Sequence, residues 1–120
     1  MTSPPHLDRS AYLEGIGLFN REEFFDAHEV LEDVWRAAPE SERKFLQGLI
    51  QLAVGFHHFS TGNRVGARSL LERGTRNLAA YPSPHLGVQL APLLACVAEW
   101  CRALDFDTPL PPLPRIQVDN

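Results

Sequence analysis

The sequence predicts an all-α protein, a single-domain bundle of about five helices with a buried central third helix. Three observations carry that prediction. Apolar residues recur at helical spacing almost throughout, and no window alternates with period two. Residues that end or start helices (Asn20, Pro39, Gly62 with Asn63, and Tyr81 to Pro84) cut the 120 residues into stretches of ordinary helix length. One of those stretches, KFLQGLIQLAVGFHHFS, is apolar nearly all round, which suits a helix enclosed by others.

The first helix is expected from about Asp8 to Leu18, with Leu7, Tyr12, Ile16 and Phe19 turned inward. Asn20 is placed to cap the second helix, with Glu23 three residues on completing a capping box. That helix must stop before Pro39, because the residue preceding a proline is pushed out of helical geometry. Pro39, Glu40 and Glu42 suit the first turn of the third helix, where proline loses no hydrogen bond and carboxylates meet the positive end of the dipole. It continues to Thr61. Gly62 then ends it and Asn63 caps a fourth helix reaching about Ala80. A fifth spans roughly Gly87 to Leu104, with Pro92 near its start or kinking it. The remaining DTPLPPLPRI is extended in this reading, wrapping the domain or a partner. The chain thus divides into a helical domain, 1–107, and a proline-rich C-terminal tail, 108–120.

Composition narrows the setting. Hydrophobic residues at 44% and charged residues at 22% are those of a soluble globule. No apolar run approaches the roughly 20 residues of a membrane span, and MTSPPHLDRS lacks the basic start of a signal peptide. A cytoplasmic location and no membrane partner are therefore expected. Net charge is −4, with the acids concentrated in residues 1–60. Arg64, Arg68, Arg73 and Arg76 form a basic stretch, but the whole domain is acidic and carries no recognition motif. Nucleic acid is not expected as a partner. Cys96 and Cys101, five residues apart, fall about 140° from each other on a helix and read as reduced core residues.

Chemistry concentrates on FFDAHEVLEDVW, residues 24–35. With His28 at the centre of a helical wheel, Phe24, Phe25, Leu31, Glu32 and Trp35 fall within roughly 60° of it. A carboxylate on such a stripe is costly unless something pairs with it. On the third helix Gln47, Gln51, Val54 and His58 share a stripe, and antiparallel packing would bring His28 towards Gln51. The pattern suits two readings. In one, His28 and Glu32, at i and i+4, hold a divalent metal such as zinc, iron, manganese or nickel, or contact a small polar ligand. Trp35, Gln47, Gln51 and His58 then border the pocket. If the pair catalyses, Glu32 holds the imidazole tautomer and His28 carries the proton. In the other, the pair is a hydrogen-bond network that sets helix register. The chain is then an interaction or scaffold protein, a homodimer meeting through Phe59, Leu86, Val88 and the tail. Trp35 would pack in the core or donate its indole N–H to Glu32. Neither reading decides whether the protein is an enzyme.

Other motifs fail. His28-Glu29-Val30-Leu31-Glu32 half-matches the H-E-x-x-H helix of zinc proteases, but glutamate stands where the second histidine belongs. Gly15-Ile16-Gly17 lacks a third glycine and a preceding strand, and no Walker sequence or G-x-S-x-G occurs.

The runs FNREEFFDAHEVLEDVW and FLQGLIQLAVGFHHFSTGNRVGARSLLERG resemble the family catalogued as domain of unknown function 309, over roughly Leu18 to Ala80. Its signature is a histidine, a glutamate four residues later, and a tryptophan or tyrosine three after that; His28, Glu32 and Trp35 match it. The resemblance implies an all-helical fold and a functional site at His28 and Glu32 with a divalent metal as the cofactor to test. It names no substrate.

Overall fold

The computed structural model describes residues 4–119; Met1 to Ser3 and Asn120, at the outer ends of the expected domain and tail, lie outside the described residues. Five helices follow one another: α1 (Arg9–Asn20), α2 (Phe24–Ala37), α3 (Glu40–Ser60), α4 (Arg64–Leu78) and α5 (Leu90–Phe106). The class is all-α, and α3 occupies the centre, packing most extensively against α4 and α2.

Local chemistry explains most boundaries. The Asp8 carboxylate accepts from the Ala11 N–H at 3.1 Å and starts α1. Pro39 precedes α3, and Glu40 and Glu42 stand in its first turn. Gly62, at φ +88°, takes the left-handed turn after α3, and the Asn63 side chain caps α4 by accepting from the Gly66 N–H at 2.8 Å. Pro92 sits in the first turn of α5, where its missing N–H breaks no helical bond. Close approach sets the α3–α4 contact. A Cβ on Gly48 would lie 2.6 Å from Leu78, and one on Gly74 would lie 2.8 Å from Leu52, so only hydrogen fits there.

Asn20 departs from expectation. It belongs to the last turn of α1, and Glu23 is the N-cap of α2 without a side-chain bond. Its carboxamide instead pairs with the backbone of Ile116: Nδ2 donates to the Ile116 carbonyl at 2.9 Å and Oδ1 accepts from the Ile116 N–H at 2.7 Å. The tail consequently folds back over the helices. Trp100 Nε1 donates to the Pro112 carbonyl at 3.0 Å, and the Asp119 and Gln89 amides donate to the Gly87 and Gln117 carbonyls.

The α4–α5 connection is pinned from inside. Tyr81 Oη donates to the Ser41 carbonyl and accepts from the Phe45 N–H, while His85 Nε2 and Glu42 Oε2 stand 2.6 Å apart. Val88 on this connection is completely buried, so it cannot supply a dimer contact, and Phe59 packs edge-on against Trp100 with centroids 5.1 Å apart. Cys96 and Cys101 are free thiols on the flanks of α5, half-buried rather than core residues. Among the described residues no helix is long and apolar enough to cross a membrane.

Candidate functional site

The buried stripe of α2 is Phe24, Ala27, Leu31 and Val34. Its centre lies to one side of His28, so the wheel centred on His28 was turned too far towards Phe25 and Glu32. The reason is physical. Ala27 and Val34 mark the true face by fitting closely against neighbours, not by bulk, whereas Phe25 is large yet 50% exposed. Glu32 is correspondingly not buried; its side chain is 40% exposed and that of His28 is 19% exposed. Among the described residues no polar or charged residue is fully buried.

His28 is oriented by the turn that precedes it. Nδ1 lies 2.6 Å from the Phe25 carbonyl oxygen, an atom that can only accept, so Nδ1 carries the proton. The Phe25 carbonyl therefore holds the tautomer, a role the sequence assigned to Glu32. Nε2 is 3.8 Å from Glu32 Oε1, and the other carboxylate oxygen is 3.5 Å from Arg36, which also meets Asp33 at 2.6 Å. The Phe25 ring packs edge-on against His28, at 4.9 Å between centroids, and lies 5.3 Å from the His57 ring. Antiparallel packing thus brings the far end of α3 to His28 through Phe25, and presents His57 where His58 was expected. His58 is half-buried and its ring lies 6.3 Å from that of His57.

A metal centre commonly draws on three or four protein donors. Among the described residues no group of three or more His, Cys, Asp or Glu side chains is arranged to hold one ion. His28 and Glu32 offer two donors, with Arg36 already against the carboxylate. The donor set does not fit a resident metal.

A cavity of about 370 Å³ does form on the α2–α3 seam, with Leu70 of α4 also lining it. Trp35, Ile50, Val54 and Leu70 make its apolar wall, and Glu32, Arg36, Gln47 and Gln51 border it. Four residues picked out from the sequence, Glu32, Trp35, Gln47 and Gln51, thus meet at one cavity; His28 and His58 do not line it. Gln51 is fixed by Asn77 of α4, whose Nδ2 donates to Oε1 at 2.7 Å. The Arg43 guanidinium lies 3.9 Å from the centroid of the Trp35 ring, a stacked cation–π contact that holds the indole. Trp35 does not donate to Glu32: its Nε1 is buried with no hydrogen-bond partner. Sequence reasoning missed Arg36, Ile50 and Leu70 of the lining, and Arg43 behind Trp35. Leu70 lies on the third helix of the cavity, outside the two-helix picture, and no periodicity on α2 or α3 signals it.

Fold and cavity together define a small helical domain with a ligand-sized apolar recess on one interhelical seam. Residues 12–70 match the model of the family described as Domain of unknown function (DUF309). The match begins six residues earlier and ends ten residues earlier than the resemblance in the sequence suggested, and it takes in most of α1, all of α2 and α3 and the first half of α4, including every cavity-lining residue. A protein of Aquifex aeolicus (strain VF5) is 30% identical over 82 residues, covering 68% of this chain and 25% of the relative. The protein YpuF of Bacillus subtilis (strain 168) is 36% identical over 72 residues, covering 58% of this chain and 41% of the relative. Both carry the description uncharacterized protein. The chain spans a quarter and about two fifths of the lengths of these relatives.

Proposed function

We propose that the domain binds a small molecule in the α2–α3 cavity, with the apolar body of the ligand against Trp35, Ile50, Val54 and Leu70. One observation carries this reading: the recess is open in the folded chain, apolar within and polar at its border, the usual make-up of a ligand site. A satisfied register-setting network would leave no such space and no unpaired indole N–H. Glu32, Gln47 and the Asn77-held Gln51 supply directional contacts at the mouth. His28, fixed by the Phe25 carbonyl, stands beside Glu32 and limits where its carboxylate turns.

A thermal-shift screen of small amphipathic compounds tests the proposal. A ligand of the cavity at a hundred times its Kd stabilises the folded state by about 2.7 kcal/mol, raising Tm. Val54→Trp fills the recess and abolishes those shifts while the helical circular dichroism is kept. Hits that stabilise Val54→Trp as strongly as the native chain would refute the site.

A further inference from the structure

We infer that the occupant of the cavity is an amine: a small amphipathic molecule whose ammonium head sits against Glu32 and whose apolar body fills the recess. That class rests on the cavity being a binding site, as proposed above. Glu32 and Arg36 are the two charged residues that line the recess. They are not equally committed. Arg36 holds Asp33 at 2.6 Å and stands 3.5 Å from Glu32 Oε2. Among the described residues that arginine, at the outer limit of a hydrogen bond, is the closest donor to the Glu32 carboxylate. The other oxygen, Oε1, faces His28 Nε2 at 3.8 Å, too far for a hydrogen bond. A carboxylate on the border of an apolar recess is thus left with accepting capacity on the His28 side.

The tautomer of His28 says what should meet it. Because Nδ1 donates to the Phe25 carbonyl, Nε2 of the neutral ring presents a lone pair. Nε2 and Glu32 Oε1 are then two acceptors facing each other. A group with several N–H bonds satisfies both at once. An ammonium has three: it can donate to each atom and leave the third for water. A hydroxyl has one proton and serves only one of the pair. A divalent metal asks for three or four protein donors, which the described residues do not bring together. Charge agrees with a cation. Seven of the eight lining residues come from residues 1–60, which hold ten acids against five bases. Asp26 and Glu29, exposed on the same helix as Glu32, add to the negative potential around it. Trp35, Ile50, Val54 and Leu70 take the alkyl or aryl part of the amine.

The test is a titration of the ¹⁵N- and methyl-labelled full chain with hexylammonium, 1-hexanol and hexanoate, which carry similar alkyl chains and differ in head group. The methyls of Ile50, Val54 and Leu70 report entry into the recess, and long-range ¹H–¹⁵N spectra report the His28 ring. Hexylammonium should bind about five- to tenfold more tightly than 1-hexanol, as a charge-assisted contact at a partly exposed carboxylate provides, with hexanoate the weakest. It should also shift the His28 Nε2 signal while the proton stays on Nδ1. Glu32→Gln should bring hexylammonium down to the affinity of 1-hexanol and leave 1-hexanol binding unchanged. Equal binding of the three probes, or a preference that survives in Glu32→Gln, would overturn the amine and leave the cavity standing. Failure of all three to perturb those methyls at millimolar concentration would overturn both.

Discussion

The carboxamide of Asn20 and the backbone of Ile116, 96 residues apart, satisfy each other with two hydrogen bonds of 2.9 and 2.7 Å. An amide side chain here does the work of a neighbouring strand. It fixes the tail at a point where Ile116 itself is buried, and joins the end of α1 to the far end of the described chain.

Asn20→Ala should therefore act on the tail rather than on α2. It leaves the Ile116 N–H and carbonyl without partners, a loss of about 1–3 kcal/mol. Urea denaturation measures that loss, and limited proteolysis of the native state should cut after Arg115 sooner in the variant. Unchanged stability together with unchanged cleavage would mean that the tail is held by its other contacts alone.

How this clasp escaped the sequence is instructive. An asparagine followed three residues later by glutamate has the pattern of a helix cap, and nothing local tells such a residue from one whose partner lies across the molecule. By contrast, the Gly62-Asn63 pair is decided by its own neighbours: a left-handed residue and a side chain reaching three residues ahead. Helix number, order and the central place of α3 were legible for the same reason, since the 3.6-residue period is a local property. The cavity was half legible. Glu32, Trp35, Gln47 and Gln51 stood out as polar or aromatic groups at core spacing, whereas Leu70 and Arg43 acquire their place only through packing. The error over Phe25 came from weighting residues by size, although the small Ala27 is completely buried and Phe25 is not.

Glu42 and His85 form a second histidine–glutamate pair, closer than His28 and Glu32 and invisible as a motif because 43 residues separate them. The imidazole packs against the rings of Phe45, at 4.8 Å, and Tyr81, at 4.6 Å. A double-mutant cycle with Glu42→Gln and His85→Ala should give a coupling energy of about 0.5–3 kcal/mol, as expected for half-buried partners in direct contact. Strict additivity in denaturation experiments would show that the 81–89 connection is held by Tyr81 instead.

Tyr12 sets an alkaline limit to stability. Its hydroxyl donates to the Leu86 carbonyl at 3.0 Å, and burial pushes the phenol above its ordinary range near 10. Arg9 offsets that shift in part, and Glu42 adds to it. A folded-state pKa above the unfolded one means that the stabilisation is fully present below pH 10. It is lost as the pH rises further, because the unfolded chain releases the proton first. Stability measured by denaturant between pH 8 and 11 should fall at the alkaline end, and Tyr12→Phe should flatten that decline while costing about 1 kcal/mol at neutral pH through the lost hydrogen bond. An undiminished alkaline slope in Tyr12→Phe would assign it to other groups.

The central claim, that the α2–α3 recess is where this domain takes its ligand, is tested most directly by methyl-labelled NMR of Ile50, Val54 and Leu70 during titration with compounds that raise Tm. The expected result is saturable shifts confined to these methyls and the Trp35 indole, abolished in Val54→Trp at unchanged fold. Shifts centred elsewhere, or surviving in Val54→Trp, would contradict it.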